Sequence, residues 1–516
     1  MPVARTLGVA LQGLTGSLVE VEADLTSQVP KLVLIGLPDA ALSEARDRVR
    51  SASQNAGCPL PARQLTINLS PAALPKHGPG FDLAIALAAA AAGKVIAAEC
   101  IDGVAHLGEL ALDGRLRPIP GVLPAVRAAA ECGVARVVVP AGNVTEARLV
   151  PGIEVESAVS LRQLLIRYGA EIEAAEEEPL RPQAQSEPVE SEQLDLSDVI
   201  GHQDAVEALI TAAAGGHHLL MLGPPGAGKT MLARRLAGIL PQLDIAEAIE
   251  VASIQSLAGE AIAERLDTAA PWQAPHHTAT AAAMAGGGSG VIRPGAIARA
   301  HCGVLFLDEA PEFTRSVLDV LRQPLESGEI TIHRANSVAT FPARFQLVLA
   351  ANPCPCGQWG LAQAQCECPP MLRRRYLARI SGPLRDRIDI QLWVPRVTSG
   401  LNGGSAEPRG AAERVTSAEA RALVTEARGR AAHRLAGTAW NRNAQVPGSW
   451  LRTHAPRLGD EAHELLDTAL RRGALSMRGA DRVLRLAWTL TDLASHSRPS
   501  IEELRRALYL RKGMTA

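Results

Sequence analysis

The sequence predicts an α/β protein of several domains that ends in a helical region. In the first third of the chain, strand-like runs such as VEVEADL and ARVVVP alternate with helical patterns such as AALSEARDRVRSA. A second α/β region follows an acidic interruption, and helical patterns such as AEARALVTEARGRAA and ADRVLRLAWTLTDLA fill the last part. Alternating strands and helices are typical of sheets covered by helices, whereas uninterrupted helical periodicity is typical of an all-helical domain.

Length and composition restrict the class of protein. A chain of 516 residues is too long to fold around one ordinary hydrophobic core, so several domains are expected. Its content of 47% hydrophobic residues is typical of globular proteins. The 52 Lys and Arg residues nearly balance the 54 Asp and Glu residues, so nucleic-acid binding would need a locally basic surface. The N-terminus lacks the apolar stretch of a signal peptide, and the apolar run at 83–98 is short for a bilayer span. We expect a soluble, cytoplasmic protein without a membrane partner.

An acidic, proline-containing segment, EIEAAEEEPLRPQAQSEPVESEQLDLS, separates the two α/β regions and is predicted to be a solvated linker. A Gly-rich stretch, TSGLNGGSAEPRG, precedes the helical region. We therefore predict an α/β domain at 1–168, a linker at 169–195, a second α/β domain at 196–396 with an insertion at 352–370, and a helical domain at 397–516.

The strongest single motif is HHLLMLGPPGAGKTMLARRLAGIL, in which an apolar strand enters a Gly-rich loop and a helix leaves it. The loop matches the G-x-x-x-x-G-K-[ST] pattern, whose glycines let backbone N–H groups turn toward phosphates. The following helix N-terminus adds partial positive charge. Lys229 is predicted to reach the β and γ phosphates of ATP, and Thr230 to ligate Mg²⁺. The predicted nucleotide-binding residues are Gly223, Pro224, Pro225, Gly226, Ala227, Gly228, Lys229, Thr230 and Asp308.

Two further apolar strands end in polar residues. GVLFLDEA delivers Asp308 and Glu309, and together with the phosphate loop this predicts that Asp308 holds Mg²⁺ while Glu309 polarises the attacking water. FQLVLAAN ends in Asn352, which suits a sensor of the γ-phosphate.

Two arginines are predicted to complete the site. Arg387, in SGPLRDRIDI, is expected to act on the γ-phosphate of a neighbouring subunit, with Arg385 as its competitor. Arg478, in LSMRGADRVLR, is expected to sense nucleotide within its own subunit, with Arg482 as second choice. Each arginine alone is more often a surface residue, but their order along the chain favours the functional interpretation.

Longer stretches carry a specific resemblance: DVIGHQDAVEALITAAAGGHHLLMLGPPGAGKT, APHHTATAAAMAGGG, RPGAIARAHCGVLFLDEAPEF, VLRQPLESGEITIHRA, NPCPCG, RISGPLRDRIDI and LSMRGADRVLRLAWTLTDL. On these, the chain resembles the ComM/YifB family of magnesium-chelatase-like AAA+ proteins over nearly its whole length. The resemblance implies a helix-2-insert AAA+ core and a homo-hexameric ring around DNA. It also implies ATP-driven branch migration that aids integration of DNA during natural transformation, with recombination proteins as further partners. Gln273, Ala296 and His202 depart from the usual family pattern.

The segment NPCPCGQWGLAQAQCECPP has a metal-ligand layout of C-x-C, nine residues and C-x-C. Four thiolates can surround one Zn²⁺ tetrahedrally, so a zinc-stabilised insertion is predicted. Two disulfides or unliganded thiols are the alternatives. The predicted ligands are Cys354, Cys356, Cys366 and Cys368.

Basic and aromatic residues near the cysteines suggest contact with DNA, although a solvated basic face is the usual fate of such a run. These residues are Trp359, Arg373, Arg374, Arg375, Tyr376 and Arg379; Arg293 and Arg334 are further candidates in the predicted inserts. His276 and His277 suggest a metal site, but adjacent residues on a helix or strand point apart. We therefore favour a structural or intersubunit role for the two histidines.

The first domain resembles the C-terminal domain of Lon protease through LTINLSPAALPKHGPGFDLAIALAAAAA and GELALDGRLRPIPGVLPAVRAAAECGVARVVVPAGN. That family uses a Ser–Lys dyad. Gly80 stands where the serine is expected and Ala125 where the lysine is expected. We therefore expect a proteolytically inactive scaffold, oligomerisation surface or DNA-entry collar.

The favoured function is an ATP-driven DNA motor. The alternatives are the ATPase subunit of a magnesium chelatase and a non-enzymatic scaffold that binds ATP. The family resemblance implies that chelatase subunits typically lack both the Lon-like domain and the C-x-C pairs. Lys229, Asp308 and Glu309 are all present, which argues against a scaffold.

Overall fold

The computed structural model contains two main sheets and a C-terminal group of helices. It describes residues 3–36, 40–74, 76, 78–180, 194–288, 292–334, 337–360, 366–397, 414–454 and 458–512. Residues 181–193 of the predicted linker and residues 398–413, which contain the Gly-rich stretch, lie outside the described residues. No helix within the described ranges is long and apolar enough to cross a membrane.

The first sheet has seven strands in the order β3-β4-β2-β1-β5-β8-β9. Antiparallel pairing joins β1 to β2 and β2 to β4, whereas β5, β8 and β9 extend the sheet in parallel. Its strands are β1 Ala4–Gln12, β2 Thr15–Thr26, β3 Lys31–Ile35, β4 Gln64–Ser70, β5 Val104–His106, β8 Arg136–Pro140 and β9 Glu154–Ala158; β6 Glu109–Leu110 and β7 Leu116–Arg117 form a separate antiparallel pair. The helices are α1 Ala40–Asn55, α2 Asp82–Ala92, α3 Val122–Glu131, α4 Val144–Ala147 and α5 Leu161–Arg167.

Helix α2 is the centre of this first core. All of its residues from Asp82 to Ala91 are buried, and it packs on β1 and β2. The apolar run noted in the sequence is therefore mainly a core helix, because small alanine side chains let the sheet approach it closely. Its one buried charge, Asp82, accepts hydrogen bonds from Arg48.

The second sheet is parallel throughout, in the order β11-β14-β17-β10-β18. Strands β14 and β17 are buried at every residue, as expected for continuous apolar runs in a parallel sheet. The strands are β10 Leu219–Leu222, β11 Trp272–Gln273, β14 Val304–Leu307, β17 Gln346–Ala351 and β18 Ile390–Trp393. Two hairpins lie apart from the sheet: β12 Gly286–Gly287 with β13 Arg293–Pro294, and β15 Glu329–Arg334 with β16 Ser337–Pro342.

Helices surround this sheet and continue to the C-terminus. Those of the second α/β region are α6 Gln203–Gly215, α7 Lys229–Ile239, α8 Ile245–Ala258, α9 Ala281–Ala285, α10 Ala296–Arg299, α11 Arg315–Val320, α12 Arg322–Ser327, α13 Pro370–Leu377 and α14 Gly382–Arg385. Those that follow are α15 Ser417–Arg434, α16 Gly448–His454, α17 Asp460–Arg471, α18 Met477–Leu493 and α19 Ile501–Lys512. A capping box between Thr416 and Glu419 begins α15.

The C-terminal helices share one hydrophobic core with the second sheet. Leu209 on α6 and Leu236 on α7 belong to the same buried cluster as Val424, Leu486 and Leu510. The helical region therefore packs directly against the elements that flank the Gly-rich loop. Because protein interiors are close-packed, a displacement of these elements is transmitted to the C-terminal helices, and the reverse is also true.

The first α/β region contacts helix α8 through a buried polar group. Glu146 accepts a hydrogen bond of 2.5 Å from the Ser256 hydroxyl, and the Gly121 amide donates to the Ser256 carbonyl at 3.1 Å. Burial raises the pKa of Glu146 above its ordinary value. The two α/β regions therefore meet at a specific contact across the chain.

Candidate nucleotide-binding site

The Gly-rich loop occupies residues 223–228, between β10 and α7. Gly228 has φ +83° and forms the N-cap of α7, a conformation that glycine adopts without a steric cost. At Gly223, a Cβ atom would lie 2.2 Å from the Val394 carbonyl oxygen. Glycine is therefore required at both positions, and the loop opens at the carboxyl end of a parallel sheet, where ligands of α/β folds bind.

Lys229 is buried and held by neutral acceptors. Its Nζ donates to the carbonyls of Gly223 at 2.7 Å and Pro224 at 2.9 Å, and to Asn352 Oδ1 at 3.1 Å. Burial lowers the pKa of Lys229, while Asp308 and Glu309 raise it in part. An ammonium held inside a loop of backbone amides provides a binding site for an anion, because phosphate oxygens can replace those neutral acceptors.

Thr230 and Asp308 meet across the sheet. The Thr230 hydroxyl donates to Asp308 Oδ2 at 2.7 Å, although 78 residues separate them. Thr230 stands in the first turn of α7, and Asp308 follows β14. A hydroxyl and a carboxylate at this spacing are hard oxygen donors of the kind that Mg²⁺ prefers, so the pair fits that ion.

Glu309 has an unusual backbone and a partner that the sequence did not predict. Its φ is +50°, which is uncommon for a residue with a side chain. Its carboxylate Oε2 lies 3.1 Å from His277 Nδ1. One sequence signal could have indicated this contact: His277 is a polar residue that follows the edge strand β11, and β11 pairs with β14, the strand that Glu309 follows.

The expectation that the rings of His276 and His277 point apart is wrong. Their centroids lie 4.0 Å apart with a tilt of 34°. The expectation assumed a helix or strand, whereas these residues lie in an irregular turn after β11. The described residues bring no third ligand to the pair to form a metal cluster.

The predicted arginines differ in exposure. Arg385 and Arg478 are exposed, whereas Arg387 is partly buried, pairs with Glu326 and donates to the Pro383 carbonyl at 2.6 Å. Burial, and then the nearby charges of Arg322, Arg482 and Arg478, lower the pKa of Arg387. Within the described residues, the buried Nε atoms of Arg322, Arg387 and Arg482 have no hydrogen-bond partner.

Arg482, the second choice for sensing nucleotide, is instead part of a buried contact. It pairs with Asp389 and donates to the Arg387 carbonyl at 3.2 Å. Burial alone would raise the pKa of Asp389, but Arg482 and His217 hold it well below its ordinary value. This contact fixes α18 to the residue before β18, and it leaves the exposed Arg478 as the better candidate.

The four predicted cysteine ligands come together. The Sγ atoms of Cys354 and Cys356 lie 3.3 Å apart, and each lies 3.7 Å from the Sγ atom of Cys366. With Cys368 included, all four sulfurs lie within 4.8 Å of one another. Zn–S bonds of about 2.3 Å place the sulfurs of a tetrahedral site about 3.8 Å apart, so the cluster fits zinc. All eight cysteines fall in described ranges and all are free, so the disulfide alternative is wrong for this structure.

The aromatic residues near the cysteine cluster are only partly accessible to a nucleic-acid base. Tyr376 is 5% exposed, and burial raises the pKa of its hydroxyl, so the prediction that it stacks on bases is wrong. Trp359 is partly exposed, with the Arg373 guanidinium 5.3 Å from its ring centroid. Arg379 pairs with Glu312 at 3.0 Å. Arg374 and Arg375 remain exposed.

Known proteins resemble this chain along nearly all of its length. The family described as magnesium chelatase, subunit ChlI, matches residues 195–401, and related ChlI descriptions match 21–143 and 414–511. An uncharacterized protein of Mycobacterium tuberculosis is 46% identical, covering 99% of both chains. Competence protein ComM of Haemophilus influenzae is 40% identical over 99% of this chain and 98% of its own. The uncharacterized protein YifB of Escherichia coli is 39% identical over 97% of this chain and 96% of its own.

The chain belongs to the ComM/YifB family of magnesium-chelatase-like AAA+ proteins. It is an ATPase of that type, and the ComM/YifB family implies ATP and Mg²⁺ as ligands. A local match to Lon protease of Mycolicibacterium smegmatis, 32% identical over 165 residues, covers 30% of this chain and 20% of that protease. The predicted likeness to Lon is thereby confirmed as a similarity of sequence.

Proposed function

We propose that this chain is an ATP-driven DNA motor that assembles as a homo-hexamer and moves branched DNA during natural transformation or recombination. The observation that carries the proposal is the meeting of Lys229, Thr230, Asp308, Glu309 and Asn352 at one edge of a parallel sheet. The similarity to a protein named for competence supports the DNA-directed part.

In this proposal each residue has a separate task. Lys229 and the loop amides bind the phosphates, and Thr230 and Asp308 hold Mg²⁺, which neutralises phosphate charge when bound. Glu309 polarises the attacking water. Asn352 senses the γ-phosphate through its hydrogen bond with Lys229. Arg478 contacts nucleotide within the subunit.

A neighbouring subunit completes the site in this proposal. Arg387 reaches the next subunit's γ-phosphate. Breaking the Arg387–Glu326 pair costs about 1 kcal/mol or less because the carboxylate is exposed. The isolated monomer is therefore a poor ATPase.

We extend the proposal to the remaining regions with the boundaries given by the sequence, namely domains at 1–168, 196–396 and 397–516. The cysteine cluster holds zinc, and its exposed neighbours Arg374 and Arg375 face DNA. The first domain is proteolytically inactive, since Gly80 and Ala125 carry no nucleophile or base. A casein-cleavage assay with ATP tests this, and any ATP-dependent cleavage contradicts it.

Junction movement tests the motor function. A labelled four-way DNA junction is incubated with ATP and the wild-type protein, and separation of its arms is followed on a gel. We expect arm separation by the wild type and none by Lys229→Ala. ATP hydrolysis by the wild type without junction movement would contradict the motor while leaving the ATPase intact.

A chelatase subunit is the second candidate, because the matched family is described as magnesium chelatase, subunit ChlI. Magnesium insertion into a porphyrin, measured by absorbance with the other chelatase subunits present, distinguishes the two functions. We expect no stimulation of insertion by this chain; clear stimulation would favour the chelatase.

His277 is expected to restrain Glu309. Because one carboxylate oxygen of Glu309 lies beside His277, His277→Ala should free the carboxylate and raise the ATPase rate measured without DNA. Both side chains are partly exposed, so the contact is worth up to about 1 kcal/mol and the increase should be at most about fivefold.

The matched control for His277 is His276→Ala, because His276 lies 2.9 Å from the Thr278 hydroxyl rather than beside Glu309. Steady-state phosphate release measures both variants, and His277→Asn should restore the wild-type rate. A lower rate for His277→Ala would mean that the histidine orients Glu309 for catalysis instead of restraining it.

A further inference from the structure

The four-cysteine loop lies directly against the phosphate-binding loop. Gly357 has φ +73°, and a Cβ atom there would lie 2.6 Å from Cδ and Cγ of Pro225. The Gly357 amide donates to the Cys354 carbonyl at 2.9 Å, which closes a tight turn over residues 354–357 that contains the first two cysteines. The backbone that carries Cys354 and Cys356 is therefore in contact with the Gly-rich loop.

Pro225 is also held from another side. Arg396 Nη2 donates to the Pro225 carbonyl at 3.0 Å, and a Cβ atom at Gly226 would lie 3.4 Å from the same nitrogen. Pro225 therefore has two supports, the backbone at Gly357 and the guanidinium of Arg396. Removing the contact with Gly357 would leave the phosphate-binding loop without a packing partner on that side of Pro225.

The first described part of the four-cysteine loop, residues 352–360, is anchored at both of its ends. It starts at Asn352, whose Oδ1 accepts from Lys229 Nζ at 3.1 Å. Further along, a Cβ atom at Gly360 would lie 2.8 Å from the Trp393 ring, and Trp359 packs edge-on against that ring at 6.1 Å. The contacts with Lys229 and Pro225 thus lie on either side of Cys354.

Regular structure does not hold this loop in place. Between Asn352 and the start of α13, the described residues form no helix or strand, and Cys354 is the only buried cysteine of the four in that part. A segment of this kind has little apolar surface to bury, and a bound metal supplies the missing free energy of folding. The cross-link between the two C-x-C pairs would therefore add to the contacts at Asn352 and Trp393 in fixing the position of Gly357.

We propose that a Zn²⁺ ion bound by Cys354, Cys356, Cys366 and Cys368 braces the phosphate-binding loop and thereby strengthens nucleotide binding. The inference rests on the proposed nucleotide site and adds a second, metal-dependent condition for its use. Coupling between two sites is reciprocal, so bound nucleotide should also slow the loss of the metal to a chelator.

The test measures metal content and nucleotide affinity separately on the full-length chain. Zinc is determined with a colorimetric chelator, and affinity is determined by titration with a fluorescent ATP analogue before and after zinc removal. We expect about one zinc per chain and roughly tenfold weaker binding without it, within the usual range of coupling between sites. Re-addition of zinc should restore the affinity.

Two variants separate the brace from general unfolding. Cys366→Ser should lose zinc and weaken nucleotide binding, with Cys132→Ser, an exposed cysteine outside the cluster, as the matched control. Gly357→Ala keeps all four cysteines but forces the turn away from Pro225. Gly357→Ala should retain zinc while binding the ATP analogue several-fold more weakly. This variant therefore tests whether the four-cysteine loop supports nucleotide binding even if Cys366→Ser fails to fold.

Three outcomes would overturn the brace: no zinc in the wild type, equal affinity with and without zinc, or unchanged affinity in Gly357→Ala. Each of these leaves the nucleotide site intact as long as the wild type binds the analogue and Lys229→Ala does not. Absence of binding by the zinc-loaded wild type would instead contradict the nucleotide site itself, and with it the brace.

Discussion

Lys229→Ala is expected to lower both nucleotide affinity and the ATPase rate by roughly 100-fold or more, the scale seen when one essential charge-stabilising donor is removed. Lys229 Nζ is the buried ammonium at the centre of the loop, where it contacts two loop carbonyls and Asn352. Alanine removes the positive charge and the link between the loop and β17. Titration with a fluorescent ATP analogue and steady-state phosphate release measure the two effects.

The matched control for Lys229 is Arg234→Ala, which removes an exposed cation from the same helix, α7. It should change both quantities by less than about twofold, because exposed charges contribute little. Nearly normal hydrolysis by Lys229→Ala would contradict the assignment of the whole loop. A loss shared equally by both variants would indicate general damage to α7.

Glu309→Gln is expected to bind ATP normally and to lower turnover by roughly 100-fold or more, as removal of a general base does. Glutamine keeps the shape of the side chain and can still contact His277, but it cannot accept a proton from water. Mg²⁺ binding by Thr230 and Asp308 should be unaffected. Rapid-quench measurement of one turnover should therefore show retained ATP, and size-exclusion chromatography should show a trapped assembly.

Glu312→Gln is the matched control for Glu309, since it changes a nearby carboxylate that pairs with Arg379 rather than with His277. It should hydrolyse ATP at close to the wild-type rate. If Glu309→Gln also turned over normally, the catalytic carboxylate would have to lie elsewhere, and Asp308 would remain only a metal ligand.

Much of the nucleotide-binding region was predictable because its signals are local. The strands Leu219–Leu222 and Val304–Leu307 are apolar runs that end at glycine or carboxylate residues, and the structure has them at these positions. The GEITIHRA segment forms the first strand of a hairpin, β15 with β16. Roles for Arg387 and Arg478 remain predictions, because they depend on a neighbouring subunit and on bound nucleotide.

Errors arose where a residue's surroundings come from distant parts of the chain. Tyr376 was expected to be open to bases, but it is the buried residue of α13. The surroundings of Arg482, the second choice after Arg478 for nucleotide sensing, were equally hidden, because it pairs with Asp389, 93 residues away in the sequence. Sequence patterns describe one segment at a time and therefore carry little information about which side of a helix another segment will cover.

The sequence by itself determined the family, the phosphate-binding loop and the four cysteines, because glycine spacing, apolar strands and thiol pairs are local chemical requirements. Only the tertiary structure decided that His277 faces Glu309 and that Gly357 contacts Pro225. Those contacts depend on the strand order β11-β14-β17-β10-β18, which brings loops from separate parts of the sequence to one edge of the sheet. Strand order reflects packing of the whole core, and no single segment encodes it.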